Sequence, residues 1–181
     1  MAELSDRAKE YFKQAAEKYL KNNNVKSFYN ELASKCPEEL GIITDMLLSN
    51  GIALFDYLSE VPSWMFSGSE METIVIPDHI NKIGPSAFYG CKAKQIQLNE
   101  GINVILNEAF GDCKNLQVVT IPDTVRTFGK NVFTGCSDQL VLYANKRKPG
   151  QRLRCPNNEK SWYKEHLFLA PEKEEEDDSM A

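Results

Sequence analysis

Ala87-Phe88-Tyr89-Gly90-Cys91 is one of four versions of a single phrase in this chain. The others are Met65-Phe66-Ser67-Gly68-Ser69, Ala109-Phe110-Gly111-Asp112-Cys113 and Val132-Phe133-Thr134-Gly135-Cys136. Phe66, Phe88, Phe110 and Phe133 recur at intervals of 22, 22 and 23 residues. A second phrase keeps step with the first: Ile74-Val75-Ile76-Pro77-Asp78, Ile96-Gln97-Leu98-Asn99-Glu100 and Val119-Thr120-Ile121-Pro122-Asp123. A period near 22 with one short apolar strand per copy predicts a stacked solenoid, in which each unit buries its faces only against its neighbours.

Each column has a physical reason. Ile74/Ile76, Ile96/Leu98, Val119/Ile121 and Leu140/Leu142 alternate with polar or small residues, so one side of each strand faces a core. Pro77 and Pro122 end strands by removing a ladder donor. Gly84 and Gly129 fit tight corners. The four phenylalanines are expected to form a spine along the far wall. Cys91, Cys113 and Cys136 share one column and are expected as a ladder of free, buried thiols rather than as a disulfide or zinc site.

The outward side of the strands then forms a small sheet. Its predicted central column is Val75, Gln97, Thr120 and Val141, flanked by Thr73, Gln95, Val118 and Gln139. These eight residues carry no charge, which suits contact with a protein better than with a charged small molecule. They are the partner-binding candidates.

Quoted as they stand, Asn115-Leu116-Gln117-Val118-Val119-Thr120-Ile121-Pro122-Asp123-Thr124-Val125 and Ala87-Phe88-Tyr89-Gly90-Cys91 resemble the unit of the BspA-like leucine-rich repeats. The likeness spans about residues 61–143. The first two copies are one residue short between the Gly-Cys column and the strand, and Leu106 stands where Gly84 and Gly129 stand in theirs. Members of that family are surface or secreted proteins, intracellular interaction proteins or short phage-encoded proteins. The resemblance implies protein binding. The helical lead-in followed by Pro62-Ser63-Trp64-Met65-Phe66 looks like the short cytosolic members, and a phage-encoded protein that blocks a host protein is one form such a member takes.

The expected fold class is α+β: a helical N-terminal cap over residues 1–60, a solenoid of about 3.5 repeats of 22–23 residues over 61–143, a C-terminal cap over 144–170 and an acidic tail over 171–181. Apolar residues Ala8, Tyr11, Phe12, Ala15, Tyr19 and Leu20 fall at helical spacing after a Ser5 or Asp6 cap. A second helix is predicted from Val25 to Lys35 with Phe28, Tyr29 and Leu32 inward. A third starts at Pro37 and runs to about Ser49, and a short fourth spans Ile52 to Leu58. A terminal unit of this kind covers the apolar edge that the first repeat would otherwise expose, with Trp64 packing at the seam. At the other end Asn158 is placed to cap a short helix through His166 that carries Trp162, Tyr163 and Leu167. The run Glu172 to Asp178 lacks apolar residues and is expected to be disordered.

Composition narrows the function. The chain has 181 residues, 42% hydrophobic and 26% charged, with a net charge of −5. An acidic balance argues against nucleic acid as the main partner. The basic run Lys146 to Arg154 lacks interleaved aromatics and reads as a solvated loop. No stretch approaches the roughly 18–20 apolar residues of a membrane span, and the amino end lacks the apolar core of a secretory signal, so a cytoplasmic protein is expected. The two histidines, His79 and His166, lie in separate elements, and His79 belongs to a corner column that Thr124 fills one repeat later. With no phosphate loop, nucleophile elbow or metal spacing, no enzymatic activity, metal or cofactor is expected. Three readings remain, in falling order: a module that binds a partner protein through the solenoid sheet, the helical cap with exposed parts of Tyr11, Tyr19 and Tyr29, or both; an assembly component that self-associates; and an enzyme or nucleic-acid binder that uses the basic loop.

Overall fold

The computed structural model describes residues 4–144 and 167–169. The chain begins with three helices: α1 Asp6–Tyr19, α2 Val25–Lys35 and α3 Leu40–Ser49. Ser5 caps α1 through its side chain, and Asn24 caps α2 in the same way. A 3-10 turn at Pro37–Glu39 leads into α3, with Pro37 in the first turn, where its missing N–H removes no bond. Where a short helix was expected over Ile52 to Leu58, another 3-10 turn, Leu54–Tyr57, hands the chain to the solenoid.

Among the described residues nine short strands follow: β1 Glu60–Val61, β2 Thr73–Val75, β3 Lys82–Ile83, β4 Gln95–Gln97, β5 Val104–Ile105, β6 Val118–Ile121, β7 Thr127–Phe128, β8 Val141–Ala144 and β9 Leu167–Leu169. The first eight alternate between two parallel ladders, β1-β3-β5-β7 and β2-β4-β6-β8, which form opposite walls of the stack, and β9 extends the second. Val61, Ile83, Ile105 and Phe128 point inward from one wall and Ile74, Ile96, Val119 and Leu142 from the other, all buried. The first ladder was not anticipated as strands. Its members are two residues long, too short for alternation to be visible.

The phenylalanine spine is present. Phe66, Phe88, Phe110 and Phe133 stack with ring centroids 5.1 Å apart at each step and planes within 8° of parallel. That distance tracks the strand-to-strand spacing of a sheet, because each coil adds one strand to each wall and one ring between them. Phe55, from the turn before β1, continues the stack above Phe66 at 6.1 Å.

The thiol column is also in place. Cys91 and Cys113 are buried with sulfurs 3.4 Å apart, and Cys113 Sγ and Cys136 Sγ donate to the carbonyls of Phe88 and Phe110. Contacts with the Cys136 and Cys91 thiols, together with burial, push the Cys113 thiol well above its ordinary range. Cys136, at the end of the ladder, is only half-buried.

Gly84 serves a different purpose from the corner assigned to it. A Cβ there would lie 2.7 Å from the carbonyl oxygen of Val61, so glycine lets one coil press on the next. Leu106 occupies the same column and keeps the same ladder bond, its N–H donating to Ile83 just as Gly84 donates to Val61. The ladder bond therefore survives the substitution.

The helices close the first coil. The N–H of Gly41 donates to the carbonyl of Ser67 at 2.9 Å, where a further coil would have made the equivalent ladder bond. Thr44, buried on α3, bonds the carbonyls of Leu40 and Met65 and the hydroxyl of Tyr29. Glu60 on β1 joins Lys26 of α2 and Lys82 of β3, each at 2.7 Å.

At the far end β9 pairs in parallel with β8. Leu167, expected on a capping helix, is the first residue of that strand. The proposed helix from Asn158 to His166, the basic run Lys146 to Arg154 and the acidic tail lie outside the described residues.

Candidate functional site

The outward face of the longer ladder is built by alternation. Thr73 and Val75 of β2 and Gln95 and Gln97 of β4 are exposed around buried Ile74 and Ile96. Val118 and Thr120 of β6 are half-buried around Val119. The register brings these residues into rows across the strands: Thr73 stands beside Gln95, Gln95 beside Val118, and Val75 beside Gln97.

The last strand corrects the sequence reading. Val118 pairs with Val141 and Thr120 with Tyr143, so Val141 belongs to the row of Thr73, Gln95 and Val118 rather than to the central column. Tyr143 completes the row of Val75, Gln97 and Thr120, and Gln139 lies exposed before the strand, outside both rows. A slip of two residues leaves every inward and outward assignment unchanged, which is why the alternation of Leu140, Val141, Leu142 and Tyr143 could not reveal it.

Both rows are uncharged. Val75, 57% exposed, is the most exposed large apolar residue among those described. Charge begins immediately alongside. Glu72 meets Lys94 at 3.2 Å, and Glu70 meets Lys92 at 2.6 Å. With Thr73, Gln95, Gln117 and Val118, the Glu72–Lys94 pair lines a shallow hollow of about 310 Å³. The signal for these pairs was present in the sequence, since Glu70/Lys92 and Glu72/Lys94 are one repeat apart.

A second concavity, of about 810 Å³, lies between α1, α3 and the residues entering β2. Leu4, Phe12, Ile42, Met46 and Met71 supply its apolar lining, and Asp45 stands among them. Sequence reading missed it because its walls come from three segments that no repeat relates.

The aromatic surface foreseen on the helices is reduced. Tyr29 has no exposed part; its hydroxyl bonds Thr44 at 2.8 Å, and burial pushes its pKa up. Tyr19 donates to Glu31 at 2.7 Å, while Tyr11 lies beneath Arg7 and Lys35. Trp64, expected at the seam with the cap, packs instead on Tyr89 of the following repeat, with ring centroids 5.7 Å apart.

His79 is a corner residue. Its Nε2 donates to the carbonyl of Phe55 at 2.9 Å, and Thr124, in the same column, donates to Ile102 at 2.6 Å. Both tie a coil to the unit before it. His166 lies outside the described residues. Among the described residues no His, Cys, Asp or Glu cluster is arranged to hold a metal ion, and no helix is long and apolar enough to cross a membrane.

Comparison with known proteins agrees with this geometry. Residues 59–145 match the family model described as the BspA type leucine rich repeat region, in 6 copies. No curated protein and no solved structure matches the chain. Leucine-rich repeats generally serve as protein-interaction modules. The two parallel ladders, the stacked phenylalanine spine and the family match together make residues 59–145 a BspA-type leucine-rich repeat region.

Proposed function

We propose that this chain is a non-enzymatic binding module that docks a partner protein on the outward sheet. The contact rows are Thr73, Gln95, Val118 and Val141, and Val75, Gln97, Thr120 and Tyr143. The observation that carries the reading is an uncharged face held rigidly by ladder hydrogen bonds on strands whose opposite sides are core. A pre-ordered surface loses little entropy on association. Eight residues are fewer than the roughly 20–30 per side of an ordinary interface. The partner therefore reaches past the rows, onto the ion pairs of Glu70, Glu72, Lys92 and Lys94 or toward the helices. The narrower form, a phage-encoded protein that blocks a host protein sterically, draws on the resemblance of the helical lead-in to short family members.

The test is affinity purification from the native host with wild-type chain and with Gln97→Arg/Thr120→Arg. Both side chains point outward, so the double variant should keep the wild-type melting temperature and lose the partner that wild type enriches. Full retention of that partner would remove the sheet as the site.

One observation favours self-association as the second reading. Among the described residues β2 has a strand neighbour on one side only, and its exposed Val75 lies at that edge. An open edge invites another strand. A monomeric mass by light scattering at high concentration would dismiss it.

A further inference from the structure

The groove between α1, α3 and the entry to β2 contains an electrostatic mismatch. Leu4, Phe12, Ile42, Met46 and Met71 give it an apolar floor, Lys9, Ser49, Asn50 and Glu70 line it as well, and Asp45 is set among them half-buried. The carboxylate accepts bonds from the Ser69 hydroxyl at 2.6 Å and the Glu70 N–H at 2.7 Å. Among the described residues no cation pairs with it. Lys9, which lines the same groove, places its ammonium 3.2 Å from Asp6, and Lys92 is engaged by Glu70. Burial holds the Asp45 carboxyl above its ordinary range despite these donors and a further backbone N–H from Met71, so the anion is less well stabilised here than in water.

We propose that this groove is a docking site for a short segment of a partner protein that presents a lysine or arginine among apolar side chains, the cation seated on Asp45. The proposal rests on the reading of the chain as a protein-binding module and names the chemistry of what it binds. Charge selects the occupant. A purely apolar segment would cover Asp45 and leave a desolvated carboxylate with hydrogen bonds but no counter-charge, which is costly. An acidic segment, including this chain's own run Glu172 to Asp178, would be repelled by Asp45 and by Glu70 on the groove wall. The thioether side chains of Met46 and Met71 adapt to varied apolar shapes, as suits a groove that fixes a cation and accommodates its surroundings.

Position supports the same occupant. Met71 lines the groove and Thr73 opens the outward sheet, two residues or about 7 Å apart in extended chain. A partner lying on the sheet therefore reaches the groove without a long linker. The groove also enlarges an interface that the eight sheet residues leave small.

The experiment uses the full chain and three synthetic amphipathic peptides of about twelve residues, long enough for roughly three helical turns. They are identical except for lysine, norleucine or glutamate at the centre of the apolar stripe. Binding is followed by titration calorimetry and by the methyl resonances of Met46 and Met71. The lysine peptide should bind on the order of tenfold more tightly than the norleucine peptide, the scale of a partly desolvated charge pair, and the glutamate peptide most weakly. Asp45→Asn should abolish the lysine preference. Ser49→Arg, an exposed change on the groove rim, should weaken the lysine peptide with the fold intact, which covers the case in which Asp45→Asn fails to fold. Equal affinity of the three peptides, a preference that survives Asp45→Asn, or resonance changes confined to the sheet would overturn the proposal. Gln97→Arg/Thr120→Arg separates it from the parent reading: lysine-peptide binding should persist in that variant, and loss of the host partner there while the peptides fail to discriminate defeats the groove alone.

Discussion

The repeat region and the helical cap are held by different kinds of contact. Inside the solenoid one coil meets the next through the same columns each time: an aliphatic on each wall, a phenylalanine between them, and ladder hydrogen bonds at fixed steps. At the seam each contact occurs once. Gly41 meets Ser67, Thr44 reaches Met65, Asp45 holds Ser69 and Glu70, and Phe55 lies over Phe66. A repeated contact can be averaged over copies, so one weak member is tolerated; Leu106 in a glycine column shows this. A contact made once has no such reserve, and the seam alone joins the cap to the stack.

The largest expected effect breaks the repeated side of that contrast at its centre. Phe110 is fully buried and has a stacked ring 5.1 Å away on each side. Phe110→Ala should cost about 3–5 kcal/mol, because rigid walls on both sides prevent collapse into the void. Chemical denaturation provides the measurement. A loss below about 1 kcal/mol would mean that the stack relaxes freely and that the spine is not what spaces the coils.

Next comes the seam. A Cβ on Gly41 would sit 2.3 Å from the carbonyl oxygen of Ser67 and 2.4 Å from the Ser69 nitrogen, both backbone atoms that cannot swing aside. Alanine is otherwise the better helix former, so propensity alone favours Gly41→Ala by about 1 kcal/mol. Overpacking should outweigh that and give a net loss of about 1–3 kcal/mol. The loss should fall on the joint: hydrogen exchange is expected to quicken in α3 and around Ser67 more than in β4 and β6. Uniform quickening would show that cap and stack unfold as one unit, which would erase the contrast.

The same contrast explains what the sequence disclosed. The solenoid, its spine and its thiol column were legible because Phe66, Phe88, Phe110 and Phe133 report one another's environment. The first two helices were legible from spacing, with Ser5 where the first start needs it, whereas the third begins at Leu40 after a 3-10 turn at Pro37 and the expected fourth is a 3-10 turn. Three features were hidden for separate physical reasons. The β1-β3-β5-β7 ladder has strands too short to alternate. The register of Tyr143 is invisible because a two-residue slip preserves the pattern of faces. The groove around Asp45 depends on how α1 and α3 settle on the first coil, and no sequence period encodes a contact made once. Of the eight residues assigned to the outward sheet, Thr73, Val75, Gln95, Gln97, Val118 and Thr120 lie in the expected rows. Val141 moves to the neighbouring row, and Gln139 gives way to Tyr143.

The smallest expected effect sharpens the comparison through pH, because the seam contains two carboxylates shifted in opposite directions. Glu60 is held below its ordinary range by Lys26 and Lys82, whereas burial holds Asp45 above it. For Glu60 the folded state binds the proton less tightly than the unfolded state. Its contribution is therefore present above the unfolded pKa and lost as pH falls through the folded value. For Asp45 the folded state binds the proton more tightly. Its contribution is greatest below the unfolded pKa and declines as pH rises through the raised value. Glutamine and asparagine do not titrate in this range. Relative to wild type, Glu60→Gln should thus lose ground as pH rises from about 3 to about 7, while Asp45→Asn should gain. Both groups are partly open to solvent, so each change should stay below about 1 kcal/mol. Melting temperatures of the three proteins across that range give the two differences directly, free of the acid sensitivity they share. Slopes of the same sign would mean that Asp45 is stabilised as an anion in the free chain, and the mismatch on which its groove depends would be gone.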